Sequence, residues 1–562
     1  MKQKYFTQFF LGIVLIIIVN SIATQYFFRI DLTEEKRYTI TTPTKRILQE
    51  LDDEVYVKVY LEGDFPSGFR RLQKAIKETL DEFKIYGGKK LKYKFIDPTK
   101  VGKNKEEQNK FYRELVQKGI QPSQIFVNED DKQVQKMIFP AAVLMYKEFE
   151  LTVSLFKTLD QKLKGSLSPE QILNQSVENT EYNLIAGIRQ LTQKDRKRIG
   201  FIEGHGELDD SEKSDIVKSL QKYYEVYKVD LPKSEEILNL DAIIVAKPDS
   251  EFTDKEKFKI DQFVMKGGKA LFFVDVVGVY MDSVLYNKKG SSFTFPYNHN
   301  LTDLFFKYGV RINSDLIKDL QASFVELVVG NMGDRPQIKP IPWVYYPIIN
   351  NFEKHQLTKG LGTIQTKFIS TIDTVKAQNV RKTPLLFTSK YSKKIGTPTL
   401  VEFNEVQKKP NPRDYNMGTL PVAYLLEGQF QSLYKSRSQS EEKGFVGQSK
   451  PTKIIVCTDG DILRNEPKMP LGLDKVYKTI HSNTDFVLNA LDYMLDDKGI
   501  MGAKNKEVVL RPLDKLKIET ESTYWQFLNT IIFEYHFACY LYYYLWNDVY
   551  FLEEKKICKV KI

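Results

Sequence analysis

The stretch Phe6–Phe28, FTQFFLGIVLIIIVNSIATQYFF, constrains this chain more than any other, because its 23 residues carry no formal charge. At a rise of about 1.5 Å per residue, about 20 residues cross a bilayer core. Lys2 and Lys4 precede the run, and Arg29, Asp31, Glu34 and Glu35 follow it. The basic end is retained in the cytoplasm, which sends everything after Phe28 to the far side. The pattern therefore predicts an anchor over residues 1–29 in the inner (cytoplasmic) membrane, with the N-terminus cytoplasmic and the bulk of the chain periplasmic. A cleaved signal peptide is the competing reading, with Ser21-Ile22-Ala23 as a small-residue cut. Tyr26-Phe27-Phe28 prolong the apolar run past that cut, and no Cys follows to receive a lipid.

A length of 562 residues points to three or four domains. Charged residues make up 28% and hydrophobic residues 42%, so the remainder can build soluble cores. The net charge of +10 is spread along the chain, which suits an anionic membrane surface. Nucleic acid is excluded as a partner by the side of the membrane. Cys457, Cys539 and Cys558 are too few and too badly spaced for a disulfide framework or a Cys-based metal centre.

Residues 30–165 read as one domain. After Thr42-Pro43 opens a helix, Val55–Leu61 alternates as a strand, Gly68–Tyr86 is a helix, Leu91–Ile96 a strand and Lys105–Gln117 a helix. Gln135–Leu155 holds two β-rich runs around Pro140. The order β-α-β-α-β-β is thioredoxin-like in outline, but no Cys is present to do thiol chemistry. Residues 166–195, opening at Ser168-Pro169-Glu170, read as a linking helix.

Residues 196–500 read as a larger α/β domain. Strands Arg198–Glu203, Glu225–Leu231, Ala242–Ala246 and Ala270–Asp275 are interleaved with helices Glu212–Tyr223 and Asp254–Met265. That alternation predicts a parallel sheet covered on both faces. A β-rich insertion is expected around 330–393, with Trp343–Pro347 and Phe368–Ile372 as strands. Leu385–Thr388, Pro421–Leu426 and Lys453–Thr458 read as further core strands, and the Lys/Ser-rich tract Ser432–Lys450 as mobile. An amphipathic helix, Asn483–Leu495, closes the domain, and residues 501–562 form a juxtamembrane segment and tail.

Two sets of residues are candidate ligand sites. Glu203, His205 and Glu207 surround Gly204 and Gly206 just past a strand, at the carboxyl edge where α/β sheets take ligands. One His with two Glu is a weak metal set, so a Gly-permitted structural turn is the preferred reading and no metal is assigned. Asp459 and Asp461 flank Gly460 past another strand, where two carboxylates could bind a cation or a polar head group but ordinary turn chemistry is the preferred reading. No Gly-x-x-x-x-Gly-Lys-Ser/Thr loop occurs, so ATP hydrolysis would belong to another polypeptide. No catalytic residue and no cofactor is assigned.

Several segments, taken in order, resemble the GldG family of gliding-motility ABC-transporter auxiliary proteins of Bacteroidetes: DLTEEKRYTIT (31–41), VYLEGDFPSGFRRL (59–72), YKFIDP (93–98), FIEGHGEL (201–208), FVELVVG (324–330), YLLEGQF (424–430), TDGDILRN (458–465) and NTDFVLNALDYM (483–494). The resemblance covers about residues 1–530. It implies an anchored, largely periplasmic substrate-binding or auxiliary subunit that works with a separate ABC permease and a cytoplasmic ABC ATPase. It also implies an amidotransferase-like fold for the large domain. Amidotransferases of that fold carry a nucleophilic Cys on a glycine-flanked turn. Cys457 lies instead within KIIVCTDG, late in an apolar strand, and reads as core packing.

The resemblance further implies a second membrane helix near the end. Tyr524–Ile532 begins one, but Glu534, His536, Asn547 and Asp548 interrupt it. A reading-frame shift after about Ile532 is one explanation, and an interfacial aromatic tail is the other. A non-enzymatic transporter subunit is the expected function. A membrane-anchored amidotransferase- or hydrolase-like enzyme and a structural element of the gliding machinery are the alternatives.

Overall fold

In the computed structural model the described residues are 39–505, except 103, 130–131, 157–163, 166, 194–195, 280–289, 333–334 and 468, together with 12, 14, 520–528 and 530–531. The expected anchor at Phe6–Phe28 and the tail after Ile532 lie outside them, residues 12 and 14 excepted. Among the described residues no helix is long and apolar enough to cross a membrane. The chain divides into two units, Met1–Glu507 and Val508–Ile562.

The first sheet of the larger unit has four strands. In chain order its surroundings are α1 (Thr42–Gln49), β1 (Val55–Val59), α2 (Ser67–Gly87), β2 (Leu91–Phe95), α3 (Lys105–Gln117), the hairpin β3 (Ser123–Glu129) and β4 (Lys132–Ile138), then β5 (Ala141–Tyr146) and β6 (Phe149–Ser154). The sheet order is β2-β1-β5-β6, with β1 parallel to β2 and antiparallel to β5. Val55, Val57 and Val59 alternate inward, as the VYVKV pattern requires, and pack with Leu72, Ile76, Leu80 and Phe83 of α2. Leu115 of α3 covers the opposite face with Tyr60, Phe139 and Val143. Of the two β-rich runs expected around Pro140, the first falls in β4 and the second divides into β5 and β6, and β3 is an addition to the expected order.

The single linking helix is two helices, α4 (Pro169–Glu178) and α5 (Thr180–Thr192). Asn179 ends one and starts the next, and Ser168 opens α4 with a reciprocal capping box to Gln171. Leu184, Ile185 and Ile188 of α5 join the first core.

The second sheet has eight strands. Those introduced next are β7 (Arg198–Glu203), α6 (Ser214–Gln221), β8 (Glu225–Asp230), β9 (Ala242–Ala246), α7 (Asp254–Met265), β10 (Lys269–Phe273), α8 (Thr302–Tyr308), β11 (Ala322–Met332), β12 (Arg335–Ile349), β13 (Asn351–Phe352), β14 (Val380–Phe387), β15 (Pro421–Gly428), β16 (Thr452–Cys457) and α9 (Asn483–Met494). The order is β13-β14-β15-β16-β10-β9-β7-β8. The five strands β16-β10-β9-β7-β8 are mutually parallel, and β15, β14 and β13 continue the sheet by antiparallel pairings, each with its neighbour. Every residue of β9, AIIVA, is buried, because both faces are covered. Ile244 and Ala246 face α6 and α9, whereas Ile243 and Val245 face α7 and α8.

Two expected elements differ. Residues 366–371 are irregular rather than a strand, and only Ile372–Thr374 pairs, against Val310–Ile312. The tract Ser432–Lys450 is pinned rather than loose. Ser432 Oγ donates 2.6 Å to Asp261, and Tyr434 OH donates 2.9 Å to the Asp254 carbonyl. In the smaller unit, residues 520–528 and 530–531 are helical, with Trp525 Nε1 donating 3.0 Å to Glu521.

Candidate functional site

The carboxyl ends of the parallel strands put both sets of candidate residues on one edge of the sheet. The chain past β7 turns through Gly204-His205-Gly206. His205 is 3% exposed, and its Nε2 lies 3.2 Å from Glu256 Oε2. Its Nδ1 lies 3.4 Å from Glu207 Oε1, an ion-pair distance without hydrogen-bond alignment, and Glu207 Oε2 accepts the His205 main-chain N–H at 2.7 Å. The ring stacks on Phe252 at 3.7 Å between centroids. Burial pulls the imidazole pKa down, but the Glu207 and Glu256 carboxylates outweigh it and leave it above its ordinary value. Gly206 has φ +70°, and a Cβ there would sit 1.7 Å from Asp249 Oδ1, so only glycine fits this turn. Glu203 faces elsewhere, accepting from Lys213 Nζ at 2.8 Å. The three residues therefore do not converge: His205 and Glu207 form a structural pair with Glu256, the N3 residue of the α7 capping box, and Glu203 joins a separate ion pair.

Asp459 and Asp461 belong to a buried ionic centre. Lys247 follows β9, Asp275 stands two residues past β10, and the 459–461 loop follows β16. Lys247 Nζ donates to Asp275 Oδ2 and, at 2.5 Å, to Asp461 Oδ2. Asp275 Oδ1 accepts from Gly460 N at 2.6 Å. Asp459 accepts main-chain N–H groups from Lys367 at 3.0 Å and from Asp461 at 2.8 Å. Arg464 approaches Asp461 at 3.6 Å and pairs with Glu212 at 2.7 Å, and Lys367 Nζ donates to Glu466.

Local backbone makes this centre possible. Lys247 adopts a left-handed conformation at φ +56°, which is uncommon for a residue with a Cβ. A Cβ on Gly460 would lie 2.3 Å from Lys247 Cβ, so glycine lets the 459–461 loop rest on the lysine.

The charges are mutually held. Burial pulls Lys247 down, but Asp275 and Asp461 outweigh it and keep the ammonium charged. Burial pushes Asp461 up, and Lys247 and Lys367 overcome it, so its carboxyl sits below the ordinary value. Asp275 stays above its ordinary value, chiefly from burial. Burial and the neighbouring Asp461 and Asp275 push Asp459 well above its own. Carboxylate oxygens of Asp275, Asp459 and Asp461 lie within 4.8 Å of one another, a spacing that suits a cation. The Lys247 ammonium already supplies a positive charge to Asp275 and Asp461.

Lys247 and Asp275 were missed from the sequence. Each stands just past a strand, but their meeting with Asp461 requires knowing that β9, β10 and β16 are adjacent and parallel. Cys457 is fully buried in the core, and burial raises its thiol well above the ordinary value. A thiol so placed is neither exposed nor activated.

Residues 196–490, over half of the chain, match the family described as an ABC-type uncharacterized transport system. The chain belongs to that family, as an accessory component of an ABC-type transport system. Residues 34–145 match a domain of unknown function. An uncharacterized protein of Borreliella burgdorferi (strain ATCC 35210 / DSM 4680 / CIP 102532 / B31) is 24% identical over 518 residues, covering 90% of each chain. Among solved structures, the mmIFT52 N-terminal domain aligns at 14% identity and a TM-score of 0.32, over 56% of this chain and 100% of that one. At that score the likeness carries no argument.

Proposed function

We propose that this chain is a non-catalytic accessory subunit of an ABC transporter, anchored in the inner membrane by residues 6–28 with its bulk in the periplasm. It acts with a separate permease and a separate cytoplasmic ATPase, in a complex that serves gliding motility. The family match over residues 196–490 carries the transport part of this reading. The uncharged run at 6–28 supports the anchor, and the resemblance of segments such as FIEGHGEL supports the motility link. Residues 30–165 are assigned a thioredoxin-like fold and residues 196–500 an amidotransferase-like one, assignments that the two strand orders support.

The non-catalytic reading is favoured by the sheet edge itself. An amidotransferase- or hydrolase-like enzyme needs an accessible nucleophile and a free base. Cys457 is enclosed, and His205 is held between Glu207 and Glu256. The test is purification of the tagged chain from its native membrane in mild detergent, read by mass spectrometry. Recovery of an ABC ATPase and a multi-span permease at near-equal stoichiometry is expected. Recovery of the intact chain without either would overturn the proposal.

A further inference from the structure

We infer that the cleft between the first sheet and α9 takes an extended peptide segment of a partner polypeptide, added as a strand beside β6 and carrying one carboxylate. This stands on the cleft alone and does not require the transport reading.

The first observation is an open sheet edge. β6 ends the order β2-β1-β5-β6, and no strand among the described residues pairs with its outer side. Leu155 N–H donates 3.0 Å to the Pro140 carbonyl, across the β5 side. Main-chain groups alternate along an antiparallel strand. The odd-numbered residues of β6 therefore turn theirs toward β5, and Glu150, Thr152 and Ser154 turn theirs outward. Glu150 is paired with Lys118 at 2.6 Å and guards the hairpin end. Thr152 and Ser154 remain, with no proline and no ion pair to blunt the edge.

The second observation is where that edge looks. Leu151–Ser154 form one wall of a cleft of about 310 Å³, with α5 and α9 opposite. Four consecutive strand residues line it, which places the strand's edge, and not just one face, against the space. An added strand would satisfy outward donors and acceptors there, and alternate side chains would meet the helices.

The third observation is charge. Most ionic groups around the cleft already have a partner. Arg189 pairs with Asp496 at 3.3 Å, Lys197 with Asp241 and Asp497, and Asp492 accepts from Tyr182 and Tyr224. Arg196 is exposed, lines the same cleft and has no ion pair among the described residues. Asn183 and Gln193 line it with side-chain amides that bond to nothing among the described residues. Among the described residues the unspent chemistry is therefore one cation, two amides and a strand edge. A neutral strand bearing a single acidic side chain or a terminal carboxylate complements it. A polyanion such as nucleic acid or a phospholipid headgroup surface would find only one free cation among the described residues.

The test uses the full chain in detergent and two synthetic heptapeptides of alternating threonine and valine, one with a central glutamate and one with a central lysine. Binding is read by fluorescence anisotropy and main-chain protection by hydrogen exchange. The Thr152 and Ser154 amides are expected to exchange quickly in the free protein and to slow when the glutamate peptide is added. Thr152→Pro removes an outward N–H, together with the Thr152 Oγ1 hydrogen bond to the Lys118 carbonyl at 2.8 Å, at an edge where proline is tolerated, and is expected to weaken binding at least tenfold. Arg196→Glu is expected to reverse the preference toward the lysine peptide, and serves if the proline variant misfolds. Failure of the glutamate peptide to bind, equal binding to both variants, or protected Thr152 and Ser154 amides in the free protein would each overturn the inference.

Discussion

Replacing Lys247 with methionine isolates what holds the second sheet's carboxyl edge together. The substitution keeps most of the side-chain length and removes the charge. Asp275 and Asp461 would then face each other without the ammonium that both now accept from, and Asp459 would lie beside them. Removing one member of a buried ionic group costs about 3–5 kcal/mol, because the partner charge is stranded. Two stranded carboxylates put Lys247→Met at the upper part of that range at neutral pH. The loss should also depend on pH in a defined direction. In the native protein Asp461 lies below its ordinary value, so its contribution is present above the unfolded pKa, about 3.9, and is lost as pH falls through the folded one. Without Lys247 the same burial raises Asp461 along with Asp275, and protonation relieves the variant. Its deficit should therefore shrink between pH 7 and pH 5. Urea unfolding followed by tryptophan fluorescence reads this. Trp343 is 1% exposed and 5.5 Å from the Phe368 ring, next to Lys367, whose N–H binds Asp459. A loss below about 1 kcal/mol at pH 7, the range of an exposed pair, or the same loss at both pH values, would refute this view of the centre.

Gly460→Ala should destabilise by about 1–3 kcal/mol, as overpacking does, since its Cβ would meet Lys247 Cβ at 2.3 Å; the urea midpoint reports it. For His205, whose folded pKa is raised, stability is full below the unfolded value near about 6.5 and is lost as pH rises through the folded one. His205→Gln should flatten that slope, measured as urea midpoints at pH 6 and pH 8. Glu256→Ala should lose about 1–2 kcal/mol through the cap on α7 and the His205 contact together; thermal unfolding would show it. Cys457 should escape alkylation in the native protein and react only after denaturation, read peptide by peptide so that Cys539 and Cys558 do not confuse the result.

Much of the second sheet could be read from residues alone. The run AIIVA at Ala242–Ala246 has no polar member, and its flanking helix at Asp254–Met265 starts with Thr253 and Glu256 at capping-box spacing. Such signals are local. Features set by distant partners were not legible. Ser432 and Tyr434 sit in a polar tract that looks solvated, yet Asp261 and Asp254, more than 170 residues away, fix them. Phe368–Ile372 has the composition of a strand, but Ser370 and Thr371 are bound by Asp315 instead, the Thr371 N–H donating to it at 2.8 Å. At the candidate site the sequence singles out Asp459 and Asp461 but not the lysine that Asp461 faces. Lys247 lies 214 residues from Asp461, and only the parallel order of β9, β10 and β16 brings them together. The two glycines that flank His205 mark a turn in the sequence, but Glu256, which holds the ring from α7, is 51 residues away and carries no mark of that role.

The claim that most needs a direct measurement is that this chain works as an accessory part of an ABC-type transport system. In-cell chemical cross-linking of native membranes, analysed by mass spectrometry, tests it without detergent. Links within residues 39–505 serve as the internal control. Links from this chain to a multi-span ABC permease are the expected result. Abundant internal links with none to any ABC component would contradict the account.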